Sequence, residues 1–390
     1  MGILFWDNIS DWNLLSETEG FSYAGTNPCA EEPLPAGGSC LLSSINLSEF
    51  VKEPFTLDAY FDFEDFTNAI HIAVREMNRI LDEGLPLHPL QEQRDAVRDW
   101  RQIGLGILGL GDMLIKMGIK YGSDESIELS EKIGRMMARE SIIESALLAK
   151  REGMFPKCSP SAIMATEYFK NLATDGMLEF YVKQYGLRNS QLLTIAPTGS
   201  ISTMLGTSGG IEPLFATEFY RTTKSLHGED VTYKVYSGIV EESRLEQEWI
   251  EMPDYIVTSR NLDWKDRIKM QSVWQKYIDA AISSTINLPQ ETTQQEVFDI
   301  YIAAWNAGLK GCTIYRSGCE REGILVVDGN NDMPEVKHKD VDEVEKSRDQ
   351  WTEQDYIDHH LCPACDYHPH LEASEGCFVC PECGWGKCAL

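Results

Sequence analysis

Six of the chain's eleven cysteines lie in one short segment, at Cys362, Cys365, Cys377, Cys380, Cys383 and Cys388. A segment this short cannot bury enough apolar surface to fold by itself, so something other than a hydrophobic core must close it. Two Cys-x-x-Cys steps, Cys362-Pro363-Ala364-Cys365 and Cys377-Phe378-Val379-Cys380, are separated by eleven residues. That spacing predicts a tetrahedral thiolate site for Zn²⁺ on Cys362, Cys365, Cys377 and Cys380. Cys380-Pro381-Glu382-Cys383 is a second knuckle of the same form, and spacing alone does not choose between them. With the first choice, Cys383 and Cys388 remain as a dithiol near the C-terminus, a placement suited to thiol–disulfide exchange. His359, His360, His368 and His370 read as solvated loop residues.

The rest of the chain is of a different kind. Its 390 residues and 43% hydrophobic content allow one large domain or two ordinary ones around a real core. A formal net charge of -28 repels phosphate backbones, which argues against general nucleic-acid binding. A small phosphorylated substrate stays compatible, because a local pocket can offer its own amide donors. The opening residues Met1-Gly2-Ile3-Leu4-Phe5-Trp6-Asp7 carry no basic region. No stretch reaches the roughly 18 apolar residues of a membrane helix. The expectation is a cytoplasmic protein without membrane contact, whose reduced thiols serve metal binding or catalysis.

Periodicity divides the chain further. Residues 1–60 read as irregular, with Pro28, Pro33, Pro35, Gly37 and Gly38 breaking any helix. Apolar residues at helical spacing predict helices over 64–82, 91–118, 125–151 and 266–282. Thr293-Gln294-Gln295-Glu296 is a capping box opening a helix to Ala307. Leu192-Leu193-Thr194-Ile195-Ala196 and Cys312-Thr313-Ile314-Tyr315-Arg316 read as buried strands, which makes the body α/β. The domains expected are a body over 1–328, a charged linker over 329–356 and a small module over 357–390.

Three strings in the body bear on chemistry. Gly104-Leu105-Gly106-Ile107-Leu108-Gly109 matches a dinucleotide fingerprint, but the charged helical residues before it leave no strand to feed a phosphate turn. Close helix packing through the glycines is the better reading. Pro197-Thr198-Gly199-Ser200-Ile201 follows a strand with small hydroxyl residues, a turn whose amides can cradle a phosphate. Asn27, Cys29 and Glu31 alternate in a proline-rich loop, so one amide, one thiol and one carboxylate can line one side of a pocket.

These strings, with Gly38-Ser39-Cys40, Ile103 to Gly118, Ala196 to Pro213, Thr285-Ile286-Asn287-Leu288-Pro289 and Gly308-Leu309-Lys310-Gly311, resemble the large catalytic subunit of ribonucleotide reductase. The closest resemblance is to the adenosylcobalamin-dependent class. It implies the second half of a ten-stranded α/β barrel with a central finger loop, followed by a zinc ribbon. Cys29 would carry a thiyl radical that takes the 3′ hydrogen of the ribose. Glu31 would act as base on the 3′ hydroxyl, and Asn27 would hydrogen-bond the sugar. Cys40 would be one of two thiols that reduce the 2′ position. Ser39 and Pro197, Thr198, Gly199, Ser200 and Ile201 would hold the substrate. Cys383 and Cys388 would re-reduce the active site and be recharged by a thioredoxin- or glutaredoxin-like protein. Adenosylcobalamin and Zn²⁺ are the implied cofactors, and self-association is compatible with the resemblance.

The sequence also departs from that pattern. It starts just before the finger and lacks the first half-barrel and the cysteine that should pair with Cys40, which implies a split enzyme or a partial sequence; the working expectation is a separate polypeptide. The strand at 312–316 lacks the adjacent tyrosine pair of the diiron-dependent class, which favours cobalamin as radical source. Leu41 and Leu42 stand where Asn-Leu is usual, and Cys312 and Cys319 are additional. The alternatives are the same reaction with a diiron or dimanganese small subunit, and a non-catalytic zinc-ribbon adaptor.

Overall fold

A computed structural model describes residues 2–223, 231–318, 325–326, 362–365, 372–374, 377–381, 383 and 386–388. The expected linker over 329–356, Cys319 and the four tail histidines lie outside the described residues. The chain divides into two units, Met1–Gly329 and Asn330–Leu390.

In the larger unit, parallel extended segments lie side by side. The strand Leu42–Asn46 pairs in parallel with Gly104–Leu108, from Leu42↔Gly104 to Asn46↔Leu108. Parallel bridges Leu105↔Leu193 and Ile195↔Ile282 carry the sheet across the next two segments. The chain leaving Ile282 becomes the strand Thr285–Leu288, which pairs in parallel with Gly311–Arg316. Gly2–Leu4 closes that side antiparallel to Gly311–Arg316. Parallel neighbours need long crossovers, and helices supply them. Phe63–Gly84 links the first pair, Asp124–Glu152 belongs to the second link, and Gln294–Asn306 links the last.

The helices form where the sequence dictates. Phe66, Ile70, Val74, Met77 and Leu81 make the buried stripe of Phe63–Gly84, whose start is capped by the Asp62 side chain. Full burial of a side chain such as Phe66 contributes about 1.5–3 kcal/mol. The Thr293 capping box is present, with Glu296 Oε2 accepting from Thr293 N at 2.7 Å.

Two expectations need correction. The helix expected over 91–118 is interrupted: Gln91–Trp100 ends at Arg101 in the left-handed region, and Gly104–Leu108 is a fully buried strand. A Cβ at position 106 would stand 2.3 Å from the Thr194 carbonyl oxygen, so the glycines allow close approach of neighbouring backbone. The glycines therefore pack a strand, not a helix. The helix expected over 266–282 spans Trp264–Gln275; the chain then turns through residues 276–280 and reaches the sheet at Ile282.

The small unit contains three antiparallel strands, Glu372–Ser374, Cys377–Val379 and Gly386–Cys388, in that order.

Candidate active site

Asn27 to Glu32 form a turn framed by the antiparallel pair Gly25–Thr26 and Pro33–Leu34. Asn27 closes it: its Oδ1 accepts from Glu32 N at 3.0 Å and its carbonyl accepts from Ala30 N at 3.0 Å. Ala30 sits at φ 69, so the chain reverses there at some backbone cost. With Asn27 Oδ1 occupied, the Nδ2 amide is the end of that side chain left to meet a ligand.

The turn is pinned to the sheet through Glu31. Its main-chain oxygen accepts from Thr194 Oγ1 at 2.6 Å and from Ala281 N at 3.0 Å. Both partners belong to the parallel segments. The Glu31 side chain is 2% exposed, and its Oε2 has no hydrogen-bond partner. A buried carboxylate oxygen with unused lone pairs is a ready acceptor for a ligand hydroxyl.

Cys29 lies on the exposed side of this turn. Partial shielding of its thiol, and then the Glu31 charge, push it up from the ordinary value of 9.0. Cys40 is also exposed as a residue, but shielding followed by the charges of Glu32 and Glu31 pushes its thiol up to about 12. Both sulfurs therefore stay as S–H at neutral pH. The Glu31 charge acts on both thiols. Ser39 and Cys40 also line a cavity of about 280 Å³, mostly apolar through Leu41, Ile80, Leu81 and Leu87, with His88 and Gln102 as polar wall residues.

The Pro197–Ile201 stretch begins three residues after Thr194, at the end of the same extended segment. It is not a plain loop, because Gly199–Leu205 is a short helix. Thr198 is in the left-handed region and its Oγ1 accepts from Gly210 N at 2.8 Å. Pro197, Gly199, Ser200 and Ile201 are exposed beside that contact.

Sequence reasoning missed the polar groups beneath the turn. Glu32 is 1% exposed, and its Oε2 accepts from Gln191 Nε2 at 2.7 Å. Burial, then Asp279 and Glu31, raise its carboxyl well above the ordinary 4.5. Asp279 accepts from Leu192 N at 2.9 Å and Leu193 N at 2.7 Å. Buried Lys310 donates to the main-chain oxygen of Asp279 at 2.6 Å. The one available signal was Thr194, a polar residue inside an apolar run. Cys312 is buried in its strand, and burial pushes its thiol up to about 12, which leaves it a packing residue.

In the small unit, the sulfurs of Cys362, Cys365, Cys380 and Cys383 all lie within 4.8 Å of one another. Cys362 Sγ is 3.7 Å from Cys383 Sγ, and Cys365 Sγ is 3.9 Å from Cys380 Sγ. A tetrahedron with metal–sulfur bonds of about 2.3 Å has sulfur–sulfur edges of about 3.8 Å. The donor set fits zinc. Among the described residues the cluster contains Cys383, from the second knuckle, where Cys377 was expected. The reason is local: Cys377 is committed to the strand Cys377–Val379, while Cys380 and Cys383 lie in the connection that follows it.

The ribonucleotide reductase barrel-domain family model matches residues 1–315. The chain belongs to that family. The vitamin B12-dependent ribonucleoside-diphosphate reductase of Thermoplasma acidophilum is 31% identical over 384 residues, covering 93% of this chain and 46% of that protein. The protein of the same description from Mycobacterium tuberculosis is 30% identical, covering 83% of this chain and 45% of the relative. The chain thus spans about half the length of the curated relatives it matches. The alpha subunit of the class Id ribonucleotide reductase of Actinobacillus ureae shares the fold, with a TM-score of 0.61 at 22% identity over 82% of this chain and 58% of that one. No helix among the described residues is long and apolar enough to cross a membrane.

Proposed function

We propose that this chain carries the thiol chemistry of a ribonucleotide reductase whose remaining part lies on another polypeptide. The observation that carries the reading is the Asn27–Glu32 turn, which is pinned to the sheet through Glu31 and presents a thiol beside a buried carboxylate with an unused oxygen. Cys29 loses a hydrogen atom to become a thiyl radical, takes the 3′ hydrogen of the ribose, and returns it to the same carbon once the 2′ position is reduced. Its S–H form is the one that abstraction requires, which is how this chain fits a radical-generating cofactor. Adenosylcobalamin, when bound, supplies that radical chemistry.

Glu31 accepts the 3′ hydroxyl proton, and the Asn27 amide donates to the sugar. Cys40 and a second thiol, from the part this chain does not span, give two electrons and two protons as the 2′ hydroxyl leaves as water. One disulfide forms for each deoxyribonucleotide. The sheet holds the turn through the Glu31 main-chain oxygen, and a radical intermediate needs the exposed Cys29 side covered by substrate and by the part this chain does not span. Ser39 and Pro197 through Ile201 border the substrate. In the small unit, Zn²⁺ sits on Cys362, Cys365, Cys380 and Cys383, and the remaining tail thiols return electrons from a thioredoxin- or glutaredoxin-like protein.

The test is reconstitution with a polypeptide covering the other half of the relatives' length. Deoxyribonucleotide formation should need both chains and adenosylcobalamin. Full activity from this chain alone, or activity that needs a metal-loaded subunit in place of cobalamin, contradicts the reading.

A further inference from the structure

We propose that Cys377 and Cys388 form the exchangeable disulfide of the small unit, bridged across neighbouring strands while a metal ion holds the other four thiols. Cys377–Val379 and Gly386–Cys388 are antiparallel with the register Cys377↔Cys388, Phe378↔Lys387 and Val379↔Gly386. Directly opposed residues on antiparallel strands have Cα atoms about 4.5–5.5 Å apart. A disulfide spans Cα separations of about 4.4–6.8 Å. The two cysteines outside the four-sulfur cluster are therefore the two that the register sets opposite each other.

The connection between these strands carries Cys380 and Cys383, half of the cluster. A metal on the four thiols clamps that connection, and the geometry of a hairpin connection fixes strand register. A slip of one residue would end the Cys377↔Cys388 pairing. The metal thus sets which thiols can bridge. A Cys383–Cys388 bridge, by contrast, would take a sulfur out of the cluster.

The chemistry is a plain exchange. The thiols of Cys377 and Cys388 give up two electrons and two protons, an incoming disulfide takes them and leaves as two thiols, and one S–S bond replaces another. In turnover, a role that rests on the reductase reading above, the incoming disulfide is the one formed at Cys40.

The experiment uses the full chain loaded with zinc and exposed to oxidised glutathione. Bridges are mapped by mass spectrometry after digestion without reduction, and zinc is measured in parallel. The expected result is a Cys377–Cys388 bridge with zinc retained. Cys377→Ser and Cys388→Ser should each lose that bridge and keep their zinc, whereas Cys383→Ser should lose zinc. Chelating the zinc before oxidation should scatter the bridges among the tail thiols. A Cys383–Cys388 bridge with loss of zinc, loss of zinc in Cys377→Ser, or no tail bridge at all overturns the assignment. None of these readouts needs nucleotide, cobalamin or a partner chain, so they stand apart from a failure of the reductase reading.

Discussion

Thr194 donates its hydroxyl to the main-chain oxygen of Glu31 at 2.6 Å, tying the turn that bears Cys29 to the parallel sheet. Thr194→Val keeps the shape and removes the donor. Ala281 N still serves the same oxygen, so the expected loss is about 0.5–1.5 kcal/mol. Thermal unfolding measures it. Thr194→Ser should be closer to the parent than Thr194→Val; equal losses would show that the hydroxyl does not matter.

Glu32 links stability to pH. Its folded carboxyl is raised above the ordinary 4.5, so its contribution is fully present below 4.5 and is lost as pH rises through the folded value. The slope for one proton is at most about 1.4 kcal/mol per pH unit. Glu31, Asp279, Gln191 and Thr194 are the groups that act on it. Glu32→Gln keeps an oxygen for Gln191 and cannot ionise. Denaturant unfolding between pH 5 and 8 (roughly the span over which folded proteins are most stable) should give a flatter curve for Glu32→Gln, with greater stability at the upper end. A curve parallel to the parent's would refute the raised carboxyl.

Gly104 touches Glu32 from the strand side. A Cβ there would lie 2.1 Å from Glu32 Oε1, 2.5 Å from Thr194 Cγ2 and 2.8 Å from Leu42 Cδ2. Gly104→Ala should therefore cost about 1–3 kcal/mol. Gly84 meets nothing within 4 Å at a helix end, so Gly84→Ala should be neutral or mildly stabilising. Melting temperatures of the two variants should separate clearly, and similar shifts would contradict the packing.

Lys310 is fully buried beside Asp279. Burial pulls its ammonium down and pushes the Asp279 carboxyl up, and the opposite charges counter both shifts. Lys310→Met leaves two buried carbonyl oxygens without their donor and removes the opposite charge near Asp279, at a cost of about 1–3 kcal/mol. Lys310→Met with Asp279→Asn should recover part of that loss in unfolding measurements. No recovery would mean the two groups do not compensate one another.

Local rules were readable where one element decides the outcome. The Thr293 box and the Phe66–Leu81 stripe needed only their own helices. The Gly104–Leu108 strand was not readable, because helical periodicity flanks it on both sides and its pairing partner Leu42–Asn46 lies far away in sequence. The Asn27–Cys29–Glu31 alternation implied an extended loop with three side chains on one side; the segment is instead a turn reversed at Ala30, with Cys29 exposed and Glu31 buried. Glu32 meets Gln191 across 159 positions, a pairing that no local pattern contains. The choice between Cys377 and Cys383 as ligand was likewise undecidable from spacing, since it depends on where the strand stops and the connection begins.

The most direct test is Cys29→Ser in the two-chain assembly with adenosylcobalamin and a dithiol reductant, read as deoxyribonucleotide formed. Serine keeps the size and the turn but has a much stronger bond to hydrogen. Complete loss of product with unchanged folding and unchanged association of the chains is the result expected. Deoxyribonucleotide formation at a rate near the parent's would show that the sulfur at position 29 does not carry the radical.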